Sequence, residues 1–444
     1  MTMTRATRGR AALAAAVTVT ALTAGTASAD FVGVVKSGAA VPGQGSTFTN
    51  VNLAGVDASA GTAFIGSFTI GSTNYSGLYR AQNGLISTIA DRGTLGPAGE
   101  TINSIIASGD YDTGGVVVFA ANTTAGRAVY RYTPGQGLSA LVRQGDVLPG
   151  STSPVNTFYN RGVSGDATNF AFGTARLDNS QAMYTSVDGF PQQSVDDKTR
   201  CPIAETGDFI DFPELHYRNG TTAFVGRGAD PDWPGPGPAP IEPAGVFAIR
   251  PGNPIEIIAG RNFPIPGAPD NMRFREFERP RLMPDGRVAF AGGFIDEEDP
   301  SPSAPHHMGV FVRNPDLTWK KYIDSEIHLP GLHAETHEFN QFSIEGSFNF
   351  FGVNDVDGGS YIYYESAAGV FTHLIDTYEM LDGKAMNRIR MLSDTAIGGQ
   401  IFFRADFTDG TSGIYSAVVP EPASLGVCAA IGLLALRGGR RRRR

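Results

Sequence analysis

The stretch Met283-Pro284-Asp285-Gly286-Arg287-Val288-Ala289-Phe290 sets the reading of the whole chain. A Pro-Asp-Gly turn leads into a short apolar strand closed by a small residue and a phenylalanine. The closing pair returns as Ala63-Phe64, Phe119-Ala120, Ala171-Phe172, Ala223-Phe224, Phe350-Phe351 and Phe402-Phe403. Measured on Phe64, Phe119, Phe172, Phe224, Phe290, Phe351 and Phe403, the steps are 55, 53, 52, 66, 61 and 52 residues. A second landmark follows each copy, a small or aliphatic residue leading to an aromatic: Gly77-Leu78-Tyr79, Ala128-Val129-Tyr130, Ala182-Met183-Tyr184, Gly245-Val246-Phe247, Gly309-Val310-Phe311, Tyr361-Ile362-Tyr363 and Gly413-Ile414-Tyr415. A third is a Pro-Gly loop, clearest at Val41-Pro42-Gly43, Leu148-Pro149-Gly150, Ile265-Pro266-Gly267 and Leu329-Pro330-Gly331.

Each unit holds short runs of alternating apolar residues between Gly, Asp, Asn and Pro turns. Four such strands with their turns need about 45–55 residues, the size of one propeller blade. A blade cannot bury both faces alone, so the expectation is an all-β, seven-bladed β-propeller spanning 30–419. The two ends carry complementary fractions of the repeat. Phe31 to Gly38 reads like the strand before a Pro-Gly loop, with no earlier strand, and the last unit stops at Val419 without one. The first mature strand is therefore expected to close the seventh blade and remove an open edge. A row of sandwiches or an open solenoid leaves that complementarity unexplained.

Residues 1–29 read as a secretory signal: Arg5, Arg8 and Arg10, an uncharged apolar run, then Ala27-Ser28-Ala29 before Asp30. The run is shorter than the roughly 20 residues of a membrane span. Cleavage by signal peptidase after Ala29 is expected. The other end, 420–444, contains Pro420-Glu421-Pro422, an apolar run from Leu425 to Leu436, then Arg437 and Arg440 to Arg444, the order of a stop-transfer element. This tail resembles the PEP-CTERM sorting signal of bacterial envelope proteins. The resemblance implies processing near the triplet by an exosortase-type enzyme, a transient membrane stage, and delivery to the cell surface or exterior. The apolar run is short for a span, so Ala423, Ser424 or snorkelling arginines must supply the remaining length.

The body is also similar to the bacterial tandem-repeat family marked by Asn-x-x-Gly-x-x-Ala-Phe. Residues 283–290 match it best, with Met283 in the Asn position, whereas Gly61-Thr62-Ala63-Phe64 carries its glycine one residue late. That resemblance implies no particular activity.

Composition bounds the function. The 444 residues include 56 Gly and 28 Pro, with 18% charged and 41% hydrophobic, which excludes a coiled coil, a disordered acidic chain and a polytopic membrane protein. Formal charge is −9; without the signal and the tail, 26 basic residues face 43 acidic ones, a balance of −17. No nucleic-acid partner is expected of such a body. Cys428 lies in the tail run, so the mature body holds the single thiol Cys201 and no internal disulfide. No Cys-His-Asn signature surrounds Cys201, which reads as a loop thiol.

Five of the seven histidines, His306, His307, His328, His333 and His337, fall between 306 and 337, with Glu335 among them. On a helical turn His333-x-x-x-His337 places two imidazoles on one face, as a borderline metal requires. Pro330, Gly331 and Leu332 argue for a loop instead, and exposed His-rich loops are the plain reading. The insertions Gly228–Pro243 and Phe294–His307, the latter holding Asp296, Glu297, Glu298 and Asp299, each fall between the Ala-Phe strand and the strand that follows it and should emerge on one rim. Asp355-Val356-Asp357-Gly358-Gly359 and Asp110-Tyr111-Asp112-Thr113-Gly114 have alternate carboxylates of the calcium type but read more simply as turns. No nucleophile elbow, phosphate loop or dinucleotide fingerprint occurs. The expectation is a non-catalytic surface propeller with no cofactor, binding an extracellular carbohydrate or protein or contributing to an extracellular matrix or the envelope. The alternative is a polysaccharide-acting propeller enzyme with a metal or carboxylate site on one rim.

Overall fold

The computed structural model describes residues 30–57, 59, 61–111, 114–203, 207–229, 241–296, 307–345, 348–367, 369–391 and 399–419. Among them there is no helix, and the strands form seven four-stranded antiparallel blades, with the two-residue strand Met380–Leu381 added at the start of the seventh. Blade 1 runs Phe48–Val56, Thr62–Ile70, Thr73–Gln82 and Leu85–Ala90. Blade 2 runs Ile102–Tyr111, Val117–Thr123, Gly126–Thr133 and Gly137–Arg143. Blade 3 is Val155–Gly165, Phe170–Arg176, Gln181–Val187 and Phe190–Asp196. Blade 4 is Asp211–Arg218, Thr221–Ala229, Ile241–Ile249 and Glu256–Gly260. Blade 5 comprises Met272–Leu282, Val288–Asp296, His307–Arg313 and Trp319–Asp324. Blade 6 comprises Thr336–Glu345, Phe348–Asp355, Ser360–Ala367 and Val370–Asp376. Blade 7 has Lys384–Met391, Gln400–Phe407 and Ser412–Val418, and its outer strand is Phe31–Lys36 from the other end of the described chain. The first strand of each blade is innermost, and those of blades 3 and 4 approach closely enough to share a parallel bridge at Arg161 and Glu214.

The two aromatic landmarks turn out to be cross-strand partners in every blade. Phe64 faces Tyr79, Phe119 Tyr130, Phe172 Tyr184, Phe224 Phe247, Phe290 Phe311, Phe351 Tyr363 and Phe403 Tyr415. Ring centroids of six of these pairs lie 5.2–5.9 Å apart with small interplanar angles, the offset arrangement aromatic pairs favour. The small residue two positions before the third-strand aromatic lies on the same face, where either that ring or the neighbouring outer strand leaves little room. A Cβ added at Gly77 would sit 2.5 Å from the Tyr79 hydroxyl, and one at Gly245 would sit 2.3 Å from the Ala259 carbonyl oxygen.

Side chains from facing blades make seven apolar clusters, one per interface, and the seventh joins Phe402 and Ile414 of blade 7 to Val51, Phe64 and Tyr79 of blade 1. An open array of seven blades has six interfaces, so the seventh is the signature of a closed ring. Closure rests on the strand Phe31–Lys36, in which Gly33 pairs with Tyr415 and Val35 with Ile414. The Ser37 hydroxyl donates to Ser412 O at 3.1 Å and accepts from Ser412 N at 2.9 Å. A polar clasp adds to the ladder: Asp382 is ion-paired with Lys36 and accepts the Tyr415 hydroxyl at 2.6 Å.

Hydrogen bonds from Lys36 and then Tyr415 hold the Asp382 carboxyl below the usual carboxylate range. Its contribution is thus complete above the unfolded carboxylate pKa of about 3.9 and fades as pH falls through the lower folded value. Lys36 and Asp382 are both about half exposed, so solvent screening keeps the gain small. Asp382→Asn should lower stability by about 1 kcal/mol or less at neutral pH. The difference from the parent should disappear in melts recorded at the most acidic pH the fold withstands.

Cys201 is buried, 1% exposed, in the apolar slot that Leu148, Ile265 and Leu329 fill before their prolines. It is a core residue in a loop, closed to a substrate or a lipid. The two insertions do fall between second and third strands, of blades 4 and 5, but residues 230–240 and 297–306 lie outside the described residues, as do 1–29 and 420–444. Among the described residues no helix is long and apolar enough to cross a membrane.

Candidate functional site

The outer strands share a polar device. Where such a strand ends on Asp, the carboxylate caps the turn that follows, and the residue three earlier reaches back to it. In blade 3, Asp196 Oδ1 accepts from Lys198 N and Thr199 Oγ1 while Gln193 Nε2 donates to Oδ2 at 3.1 Å. In blade 5, Asp324 Oδ1 accepts Glu326 N and Lys321 is the ion-pair partner. In blade 6, Asp376 Oδ1 accepts Tyr378 N at 2.7 Å and Glu379 N at 3.1 Å, and the position three earlier is His373. Gln193, Lys321 and His373 are equivalent by register, since each faces its blade's landmark aromatic, Tyr184, Phe311 and Tyr363.

Blade 6 departs from its siblings at several neighbouring positions. A titratable imidazole replaces the amide or ammonium. Glu379 stands where blades 1 and 3 have the capping threonines Thr94 and Thr199. Tyr361 occupies the slot that is Gly or Ala in the other six blades. Its hydroxyl donates to Asp355 Oδ2 at 2.6 Å and accepts His333 N at 3.3 Å. The His333 ring lies 4.5 Å from that of Tyr378, and the His373 ring lies 5.6 Å from Tyr363 and 6.4 Å from Tyr361.

His373 Nε2 is 3.2 Å from Asp376 Oδ2, within ion-pair range but off the line of a hydrogen bond, and Nδ1 is 3.8 Å from Glu379 Oε1. One ligand atom from each of His373, Asp376 and Glu379 lies within 4.8 Å of the others. Burial, with a contribution from nearby His333, pulls the imidazole below its ordinary pKa despite Asp376. Burial and then the Asp376 charge raise Glu379. The lowering favours the neutral imidazole that a metal ion requires, whereas the raised Glu379 carboxyl is one a bound cation would have to draw back to its ionised form.

The histidines singled out from spacing fare differently. Residues 333–335 are loop and 336–345 strand, so His333 and His337 do not share a helical face; Pro330 and Gly331 break any helix there. His333, Glu335 and His337 are all exposed, but the His333 ring lies against Tyr378 at the edge of the blade 6 cluster. His307 stacks on Phe294 at 5.3 Å, with Nδ1 3.9 Å from Glu326; His306 lies outside the described residues. Asp355 serves the turn, accepting Asp357 N and Gly359 N as well as the Tyr361 hydroxyl. Asp112 and Thr113 lie outside the described residues.

A second polar feature sits on the inner side of blade 7. Arg390 of the innermost strand faces Arg404 of the second strand directly, and Arg388 faces Asp406. Arg404 donates to Asp406 Oδ1 at 2.8 Å, and Arg390 Nε is buried with no hydrogen-bond acceptor among the described residues. Burial and then repulsion from Arg388 and Arg404 lower the Arg390 pKa. Like charges directly opposed across a sheet cost stability. The arrangement is one that a bound anion would relieve.

The fold is that of a closed seven-bladed propeller with a local polar centre on one blade. The chain belongs to a family of unknown function, DUF7453, which matches residues 8–314. No curated protein matches it. Among solved structures it is similar to the polysaccharide lyase Uly1, at 10% identity and TM-score 0.44 over 81% of this chain and 88% of that one. A polysaccharide lyase of PL25, an ulvan lyase bound to a GlcA–Rha3S oligosaccharide, aligns at 11% identity and TM-score 0.43 over 84% and 95%. An uncharacterized protein of Listeria monocytogenes EGD-e aligns at 10% and 0.43 over 84% and 94%. These values transfer none of those activities to this chain.

Proposed function

We propose that the chain is an exported, envelope-sorted, non-catalytic propeller that binds an acidic extracellular glycan at the inner arginines of blade 7. The observation that carries the reading is the Arg390–Arg404 pair, flanked by Arg388 and balanced by Asp406 alone among the residues the register sets beside it. A carboxylate or sulfate group between them would remove the repulsion and give Arg390 Nε an acceptor. The acidic body disfavours a duplex nucleic acid, with one charge per roughly 1.7 Å, far more than a glycan with about one charge per sugar or two. The Pro420-Glu421-Pro422 tail and the signal supply the address.

The test is to compare the full chain with one ending at Val419, and the latter with Arg390→Gln. The full chain should stay with the cells and the shortened one pass to the medium. The released parent should bind a labelled oligouronate in a salt-dependent manner and ignore a neutral glucan. Arg390→Gln should weaken binding by roughly tenfold while melting no lower than the parent, since it removes a repulsion. Equal binding of acid and neutral glycans, or an unaffected Arg390→Gln, would overturn the reading. Shortening of the oligouronate during the assay would favour the catalytic alternative.

A further inference from the structure

We propose that His373, Asp376 and Glu379 of blade 6, with His333 beside them, form a site for a divalent transition ion of the zinc class. The inference is independent of the glycan reading, since it concerns a different blade and a different chemistry.

The internal repeat is the strongest argument. Seven copies of one unit in one chain show what the fold itself demands at each position, and the blade 6 outer corner departs from that demand in one direction. The carboxylate is common to blades 1, 3, 5 and 6 as Asp91, Asp196, Asp324 and Asp376, so Asp376 alone is structural. The fold is content with Gln193 or Lys321 opposite it, and with Thr94 or Thr199 three residues on. Blade 6 replaces the first with an imidazole and the second with another carboxylate, which together with Asp376 make a one-nitrogen, two-carboxylate donor set. Neither change is needed for the turn, because the backbone amides of Tyr378 and Glu379 already satisfy Asp376 Oδ1.

The geometry suits an ion of this size. Zinc holds nitrogen and oxygen at about 2.0–2.2 Å, which places two ligand atoms little more than 3 Å apart. His373 Nε2 and Asp376 Oδ2 are 3.2 Å apart, and Nε2 is without an aligned hydrogen-bond partner. Glu379 is about half exposed and can swing the remaining distance. The imidazole discriminates against calcium and magnesium, which take oxygen donors. The buried rings of Tyr361 and Tyr363 lie beside the His373 ring and limit water on that side. The large Tyr361 in place of glycine is thereby explained: its hydroxyl ties Asp355 to the His333 loop and so brings His333 alongside.

The experiment uses the chain ending at Val419, stripped with a chelator and titrated with zinc against a chromophoric competitor, with cobalt as a spectroscopic probe. About one equivalent should bind, with cobalt absorption characteristic of a low-coordinate site. His373→Gln and Glu379→Thr each restore what a sibling blade already carries, so both should fold. His373→Gln should weaken zinc binding by at least about 100-fold, beyond the 10–100-fold expected for loss of an outer partner alone. Glu379→Thr should weaken it at least about tenfold. Absence of zinc uptake by the parent overturns the proposal, and so does uptake that survives in His373→Gln, which would place the ion on other histidines. If a variant fails to fold, imidazole resonances of the parent decide the matter: zinc must perturb His373 before His307 or His328.

Discussion

A chain that begins at Gly38 is expected to lose several kcal/mol of stability and to aggregate at concentrations where the parent stays in solution. The missing strand supplies the outer edge of blade 7, where Phe31 meets Phe403 edge-on at 5.7 Å and Val35 is buried in the interface with blade 1. Without it the strand Ser412–Val418 presents an unpaired backbone edge next to exposed Val418. Bare edges of this kind recruit other chains. Because every blade leans on two neighbours, loss at the seam weakens blades 1 and 7 together, and the midpoint should fall by roughly 5–10 °C. The decisive control is a permuted chain. Phe31 pairs with Ala417, so the end of one strand lies beside the start of the other. A chain starting at Phe48 and carrying residues 30–47 after Val419 through a short linker should recover the parent's melting temperature. If the shortened chain melts within about 2 °C of the parent, the seam carries little, and the stability of the ring must lie in the remaining six interfaces.

Closure of this kind was legible in the sequence because it depends on counting. The aromatic landmarks recur with steps near fifty residues, and the first and last units hold complementary parts of one repeat; neither inference needs a contact map. What the sequence could not show is that the two landmarks face each other, since strand lengths and bulges set the register. The blade 6 centre was hidden for the same reason. His373 stands alone in Val370–Asp376, remote from the histidine-rich segment that drew attention, and a helical spacing was the wrong ruler for a loop entering a strand. Aligning the outer strands on their final Asp would have exposed it, because His373 then falls under Gln193 and Lys321, and Glu379 under Thr199. Arg390 and Arg404 were equally invisible, being neighbours only through the pairing of two strands across residues 392–398. Charge totals pointed the other way: an acidic balance over the whole body says nothing of a local concentration of arginines.

Phe290→Ala is the substitution expected to cost most at a single position. The ring is 0% exposed and meets Phe311 at 5.7 Å, Phe274 at 5.6 Å, Trp319 at 5.9 Å and Phe277 at 6.0 Å. Removing it leaves a cavity bounded by four other rings, which are held by three strands of their own blade and the interface with blade 4, so the site can collapse only in part. The expected loss is about 3–5 kcal/mol, read as a shift of the denaturation midpoint. Phe190→Ala is the internal control: that ring is 74% exposed, and its removal should change stability by no more than about 0.5 kcal/mol. The shape of the curve discriminates as much as its position. In an open array each unit is stabilised by its own neighbours, and a weakened interface separates the transition into two. In a closed ring the chain on either side of the blade 4–blade 5 interface remains joined through the seam at Phe31–Lys36, so Phe290→Ala should move one transition without splitting it. Combined with removal of residues 30–37, the same substitution opens the circle at two points and should divide the unfolding curve. A double variant that still unfolds in one step would mean that the blades communicate by some route other than their seven interfaces.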